Sequence, residues 1–407
     1  MLANDDMPVE PRRSPASVSA DFSRHLRIFY ALGLLIIGVL YPEEKTKIAG
    51  IHWTPFAAFL GITLVLAFKE ALDDGIARCV FMFIIVATAL LVSTAFWLFA
   101  YNDLPILDFL LRHYLTLLVT TSICFLLVSD IPPSFLLKAI YRFMFCLSLG
   151  LILTRAILFD FSREGTFLGL GPLTFARYVC LGWIAQVLHD RRMKLLPSFV
   201  FALGLLVADS KGPILFLCIT FFVYMFAVHR IKRLRSALLL IGLAALLGFS
   251  GRFSDFVFDL RSLLSDDLAV PNVVEFEASE EESVSSTVSR LVAITASLEL
   301  IEQRPLAGWG AGMWPAVTGL HSLEYPHNSI IEIWVEYGFF GLAIFIFFVV
   351  MGARGIKRGN PFSFFVVFCG LLSLTTGSIK DLRVLVFFIL LTLHFNFLFR
   401  EKASATI

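Results

Sequence analysis

Apolar runs of about 15 to 25 residues recur along almost the whole chain, from Leu26 to Phe399, separated by short charged or turn-forming segments. A helix of roughly 20 residues crosses a hydrocarbon core about 30 Å thick, and it satisfies its own backbone hydrogen bonds there. Candidate spans are 26–41, 53–68, 76–100, 109–128, 134–159, 172–189, 195–210, 212–229, 236–250, 328–352, 361–379 and 381–399. The expected fold class is an all-α integral membrane protein with about 12 transmembrane helices and one long loop that itself contains helices. The shorter spans call for tilt or local thinning of the bilayer. The tightest turns are Ser210-Lys211-Gly212-Pro213, between spans seven and eight, and the one near Lys380, between spans eleven and twelve.

Composition agrees. The chain is 58% hydrophobic and 16% charged, with 43 Phe residues. Soluble domains are about half apolar and a quarter charged, so the excess requires a second, apolar solvent. A net charge of +1 excludes a global field aimed at nucleic acid. All six cysteines lie inside apolar stretches, where cysteine behaves as a small hydrophobe, so neither a disulfide framework nor a zinc site is expected. Residues 1–25 are polar and no small-residue cleavage site follows the first apolar run, so no cleavable signal peptide is expected.

Orientation follows from the basic residues. One side receives Arg12, Arg13, Arg24, Arg27, Lys69, Arg191, Arg192, Lys194, Arg230, Lys232, Arg233, Arg235, Arg354, Lys357, Arg358, Arg400 and Lys402. The opposite short loops carry only Lys45, Lys47 and Arg163. Positive-inside sorting makes the first side cytoplasmic. The expected organisation is a cytoplasmic tail at 1–25, transmembrane helices 1–9 over 26–250, a periplasmic loop at 251–327, transmembrane helices 10–12 over 328–399, and a cytoplasmic tail at 400–407. Within the loop, the Ser/Glu-rich stretch from Glu275 to Ser289 has little to bury, and a helix is predicted over 290–303, ended by Pro305.

Cations inside apolar segments mark function. Arg112, Arg155, Arg177, Lys211, Lys380 and Arg383 fall near the outer leaflet in this topology, and Arg142 lies within the fifth span. A charge at the centre of a span costs about 2.5–3.5 kcal/mol, so it faces a cavity or a partner unless it snorkels to the headgroups. Singly, each can snorkel. As a set on the face that should be poor in Lys and Arg, they describe a basic outer cavity suited to an anionic lipid headgroup, above all a diphosphate. His327 ends the long loop in Tyr325-Pro326-His327-Asn328-Ser329, with Asn328 placed to cap the next helix and Glu332 in its first turn. The positive end of a helix dipole favours the neutral imidazole, which can accept a proton from an attacking hydroxyl. Arg290 is placed at the opening of the external helix, against the dipole, which calls for an anionic partner or for a pair with the neighbouring glutamates. Glu280-Glu281-Glu282 reads as a solvated acidic run, and there is no Asp-x-Asp pair to hold a divalent ion, so no metal and no cofactor is expected.

The stretch from Ser289-Arg290 through Glu302-Gln303-Arg304-Pro305-Leu306-Ala307-Gly308-Trp309-Gly310 to Pro326-His327-Asn328 resembles the loop signature of the O-antigen ligase/polymerase superfamily. Glu336-Tyr337-Gly338-Phe339-Phe340-Gly341 resembles its Glu-x-Gly-x-x-Gly element, and Ser210-Lys211-Gly212 resembles its Ser-Arg-Gly element with lysine in place of arginine. The resemblance implies a metal-independent, inverting glycosyltransferase of the bacterial inner membrane. Its donor is a glycan on undecaprenyl diphosphate, and its acceptor in the ligase branch is a hydroxyl of lipid A–core oligosaccharide. On this chain it implies His327 as general base, with Arg290 and Lys211 on the diphosphate. Arg112, Arg155, Arg177, Lys380, Arg383 and Asn328 are the further candidates for substrate binding. The polymerase branch uses the same donor with another acceptor, and motif chemistry does not separate the two. A lipid-linked glycan transporter is a third reading, against which stand the asymmetric loop and the lack of a half-repeat.

Overall fold

The computed structural model describes residues 15–37, 47–48, 51–52, 116–158, 172–190, 194–208, 210–229, 286–318, 320, 326, 328–374 and 379–404. The spans expected at 53–68, 76–100 and 236–250, and the first part of the long loop, lie outside the described residues.

Among the described residues the regular secondary structure is helical apart from one hairpin of two-residue strands, β1 (Lys47–Ile48) and β2 (Ile51–His52), which the all-α expectation did not include. The helix α1 (Pro15–Ile37) begins well before the expected span and takes in the end of the polar tail. No proline or glycine interrupts residues 16–25, and Pro15 sits in the first turn, where its missing N–H costs nothing. Next come α2 (Thr116–Val128) and α3 (Pro133–Leu158), then α4 (Pro172–Asp190), α5 (Leu195–Ala208) and α6 (Lys211–His229). Two residues separate α5 from α6, so the tight turn read at Ser210 does divide two helices. The loop contributes α7 (Ser286–Gln303) and α8 (Trp314–Thr318). The chain then forms α9 (Ser329–Ala353), α10 (Phe362–Leu372) and α11 (Arg383–Ser404), with 3-10 turns at Arg354–Arg358 and Ile379–Leu382. The segments Pro133–Ile157 and Ser329–Arg358 are long and apolar enough to cross a membrane.

In lipid the hydrophobic effect does not pull helices together, so close contact and hydrogen bonds must. A Cβ on Gly182 would lie 2.5 Å from the Met144 Cβ, so α3 and α4 meet where only glycine fits. Between α10 and α11, Phe365 stacks on Phe388 with ring centroids 4.4 Å apart, and Phe362 stacks on Phe388 and Phe395.

Polar contacts tie the helices together in two groups. In one, Arg27 donates to both Asp130 oxygens at 2.9 and 3.0 Å, and His394 Nε2 lies 3.1 Å from the Ser129 carbonyl. There too, Asn360 Nδ2 donates to Thr392 O and Asn396 Oδ1 at 3.1 Å. In the other, Arg383 donates from Nε to Leu35 O at 2.6 Å and from Nη2 to Ile36 O at 2.9 Å, while Tyr178 Oη donates to Leu35 O at 3.1 Å.

Candidate active site

The long loop is stitched into α9. Expected as one uninterrupted span, α9 is broken at Gly338, which has φ 63° and ψ −166°. The break frees carbonyls that the next helical turn would have used, and the loop takes them. Trp309 N–H donates to Val335 O and Gly310 N–H donates to Glu336 O, both at 2.8 Å. In return Phe339 N–H donates to Pro305 O at 2.8 Å. An orphaned backbone group in an apolar setting costs more than a made bond contributes, so the break and the loop require each other. Glycine at 308 and 338 is what lets the backbones meet. A Cβ on Gly308 would lie 2.5 Å from Glu336 O, and one on Gly338 would collide with the Leu306 carbonyl.

The same loop is fastened to α7. Trp309 Nε1 donates to Leu300 O at 2.9 Å, and the Arg304 guanidinium lies 4.1 Å from the centre of the Trp309 ring. Trp314, fully buried, donates from Nε1 to Ser297 Oγ at 2.8 Å. Val292, Ala293, Ala296, Leu300 and Val335 bury the face between α7 and α9. Arg290 is exposed on α7. Because α7 starts at Ser286, four residues before the expected start, Arg290 stands in the second turn. The dipole argument from the sequence therefore does not apply to it, since that field fades within one turn. The Ser286–Ser289 segment continues the helix because Ser286, Thr287 and Val288 tolerate the first turn and nothing there breaks it.

At the head of α9, Asn328 caps the helix as expected: its Oδ1 accepts from Ile330 and Ile331 N–H at 3.0 and 3.2 Å. Its Nδ2 donates to Leu374 O at 2.8 Å, and Ser329 N–H donates to Ser373 O at 3.1 Å, which ties this point to the end of α10. Both groups of the Asn328 amide thus have protein partners. His327, one residue earlier, lies outside the described residues, as does Arg112.

The remaining cations fall in helix ends. Arg177, 5% exposed in α4, faces Asp381 with Nη1 3.6 Å from Oδ1. This pair lines a small cavity together with Ser329 and Ser373, beside the head of α9. Arg155 is buried in the last turn of α3, and Lys380 belongs to the 3-10 turn Ile379–Leu382. Lys211 is the first residue of α6, whose first turn meets α4 where Cys180 Sγ lies 3.6 Å from Pro213 O. Arg383 is occupied by the end of α1, as described above. The structure therefore gathers the head of α9, Arg177 and Asp381 at one cavity, and ties Arg383 to α1.

Residues 196–346 match the model of a protein family described as O-antigen ligase. Over that segment, less than half of the chain, the sequence is similar to this family. A search of curated proteins finds no match. The matched segment takes in α5, α6, α7, α8 and the first part of α9, through its break at Gly338. Two features of the site escape a reading of the sequence alone. Asp381 stands between Lys380 and Arg383, and a lone carboxylate between cations in an apolar helix end was the available signal for an ion pair. Glu336, 1% exposed, accepts from Gly312 N–H at 2.8 Å; only its motif position marked it.

Proposed function

We propose that this protein is an O-antigen ligase of the bacterial inner membrane, with its active site facing the periplasm. It transfers glycan from undecaprenyl diphosphate to a hydroxyl of lipid A–core oligosaccharide during lipopolysaccharide biosynthesis. The observation that carries the reading is that Lys211, Arg290 and His327 all fall inside the matched segment 196–346, in the order and sequence setting of the family signature.

His327 takes the proton of the acceptor hydroxyl as its oxygen attacks the anomeric carbon of the donor sugar. The bond from that carbon to the diphosphate breaks on the opposite face, inverting the configuration. The electron pair leaves with undecaprenyl diphosphate, whose growing charge Arg290 and Lys211 stabilise without a metal ion. Lysine at 211 supplies charge without the bidentate fork of arginine. Arg155, Arg177, Arg112 and Lys380 extend the basic surface for the donor headgroup, and Asn328 holds the head of α9 through its cap. About 12 spans, with the loop 251–327 in the periplasm, complete the architecture.

Purified protein mixed with lipid-linked glycan and lipid A–core, with products resolved on a gel, tests this. Glycan on lipid A–core is the expected product. Longer lipid-linked chains instead identify a polymerase, and movement of labelled lipid across liposomes without transfer identifies a transporter.

A further inference from the structure

The transfer chemistry above makes no use of the Glu336 carboxylate. A buried carboxylate in an apolar setting is costly unless it is hydrogen-bonded, so its place at this position calls for a contact that an apolar residue could not make. One such contact comes from the Gly312 N–H, which donates to Glu336 Oε1 at 2.8 Å. Gly312 follows the two backbone bonds from Trp309 and Gly310 into the α9 break, and it precedes Trp314, which is bonded to Ser297 of α7. The carboxylate thus grips the loop midway between its attachment to α9 and its attachment to α7. Two turns of helix separate Glu336 from Asn328, the cap next to His327. On the other side, α7 carries Arg290.

We infer that Glu336 is a positioning residue for glycan transfer: through Gly312 it sets the spacing between α7 and the head of α9. This rests on the roles proposed above for Arg290 and His327. The requirement is an acceptor oxygen at the reach of a glutamate side chain, not a negative charge. Glutamine at 336 keeps that oxygen and that reach. Aspartate keeps the charge but is one methylene short.

The test uses the full chain in nanodiscs and measures kcat and KM for lipid-linked glycan, with hydrogen exchange followed over residues 305–313. In Glu336→Asp the exchange of this segment should quicken and kcat should fall about 10- to 100-fold, as a misplacement near 1 Å costs, while KM changes little. Glu336→Gln should keep wild-type protection and a kcat close to wild type. Wild-type protection or wild-type kcat in Glu336→Asp overturns the inference. So does a Glu336→Gln enzyme with lost kcat, which points to the charge, and that variant decides alone if the aspartate protein does not accumulate. A wild-type protein that transfers no glycan sinks the reading of the site itself, whereas active wild type with an unimpaired Glu336→Asp sinks only the positioning role.

Discussion

Arg383 is 8% exposed at the start of α11, and its Nε and Nη2 donate to the last carbonyls of α1. The guanidinium therefore ties the start of α11 to the last described turn of α1. Arg383→Ala would remove both bonds, and a hydrogen bond to a charged group contributes about 1.5–3 kcal/mol. The variant should unfold at lower temperature in detergent while each folded molecule turns over near the wild-type rate. A variant of unchanged thermal stability and lost donor binding would return Arg383 to the substrate. His327 makes the opposite prediction. His327→Ala should lower transfer by about 10²–10⁴-fold with insertion intact, the usual contribution of a positioned base. His321→Ala, six residues upstream in the same loop, is the matched control and should stay active. The rate should also fall with pH as the imidazole gains its proton, and a His327→Gln enzyme of near wild-type turnover would remove the base assignment. Lys211→Arg should retain much of the activity and Lys211→Ala should lose it, if charge at that position stabilises the departing diphosphate.

At the scale of elements, the broken helix is the organising feature. The two halves of α9 face different surroundings: Glu332, Val335 and Glu336 are buried before the break, while Phe339, Phe340 and Phe347 are more than half exposed after it. Large apolar side chains exposed along a spanning segment match lipid, and the carboxylates before the break match a protein-packed site. Gly338→Ala and Gly359→Ala form a matched pair, because both positions have positive φ. Gly359 has open space for a methyl group, whereas Gly338 backs onto the Leu306 carbonyl. Gly359→Ala should therefore cost only the left-handed backbone, about 1–2 kcal/mol, and fold. Gly338→Ala should yield little monodisperse protein on size-exclusion chromatography. Equal behaviour of the two would mean that the splice contributes nothing beyond φ.

Across the whole molecule, polar contacts tie the helices together in two groups. Arg27 meets Asp130 and Asn360 meets Asn396 in one, while Arg177 meets Asp381 and Ser329 meets Ser373 in the other. Reporter fusions at Lys232 and Lys357 should give cytoplasmic signals, and one at Ser283 a periplasmic signal. A cytoplasmic signal at Ser283 would place the loop, and with it the active site, on the wrong side for a lipid A–core acceptor.

Periodicity, composition and loop charge were enough to read a helical membrane protein, because lipid leaves a backbone few ways to satisfy itself and length alone then marks a span. Local rules also identified the cap at Asn328 and the helix ended ahead of Pro305, since each depends on neighbours within a few residues. What the sequence could not supply were partners distant along the chain. Nothing near Arg383 says that its donors go to Leu35 and Ile36, and nothing near Arg177 names Asp381. The break in α9 was missed for the same reason. A helix carries on or breaks according to who takes its backbone groups, and at Gly338 the taker is a loop some thirty residues upstream, brought there only by the tertiary fold.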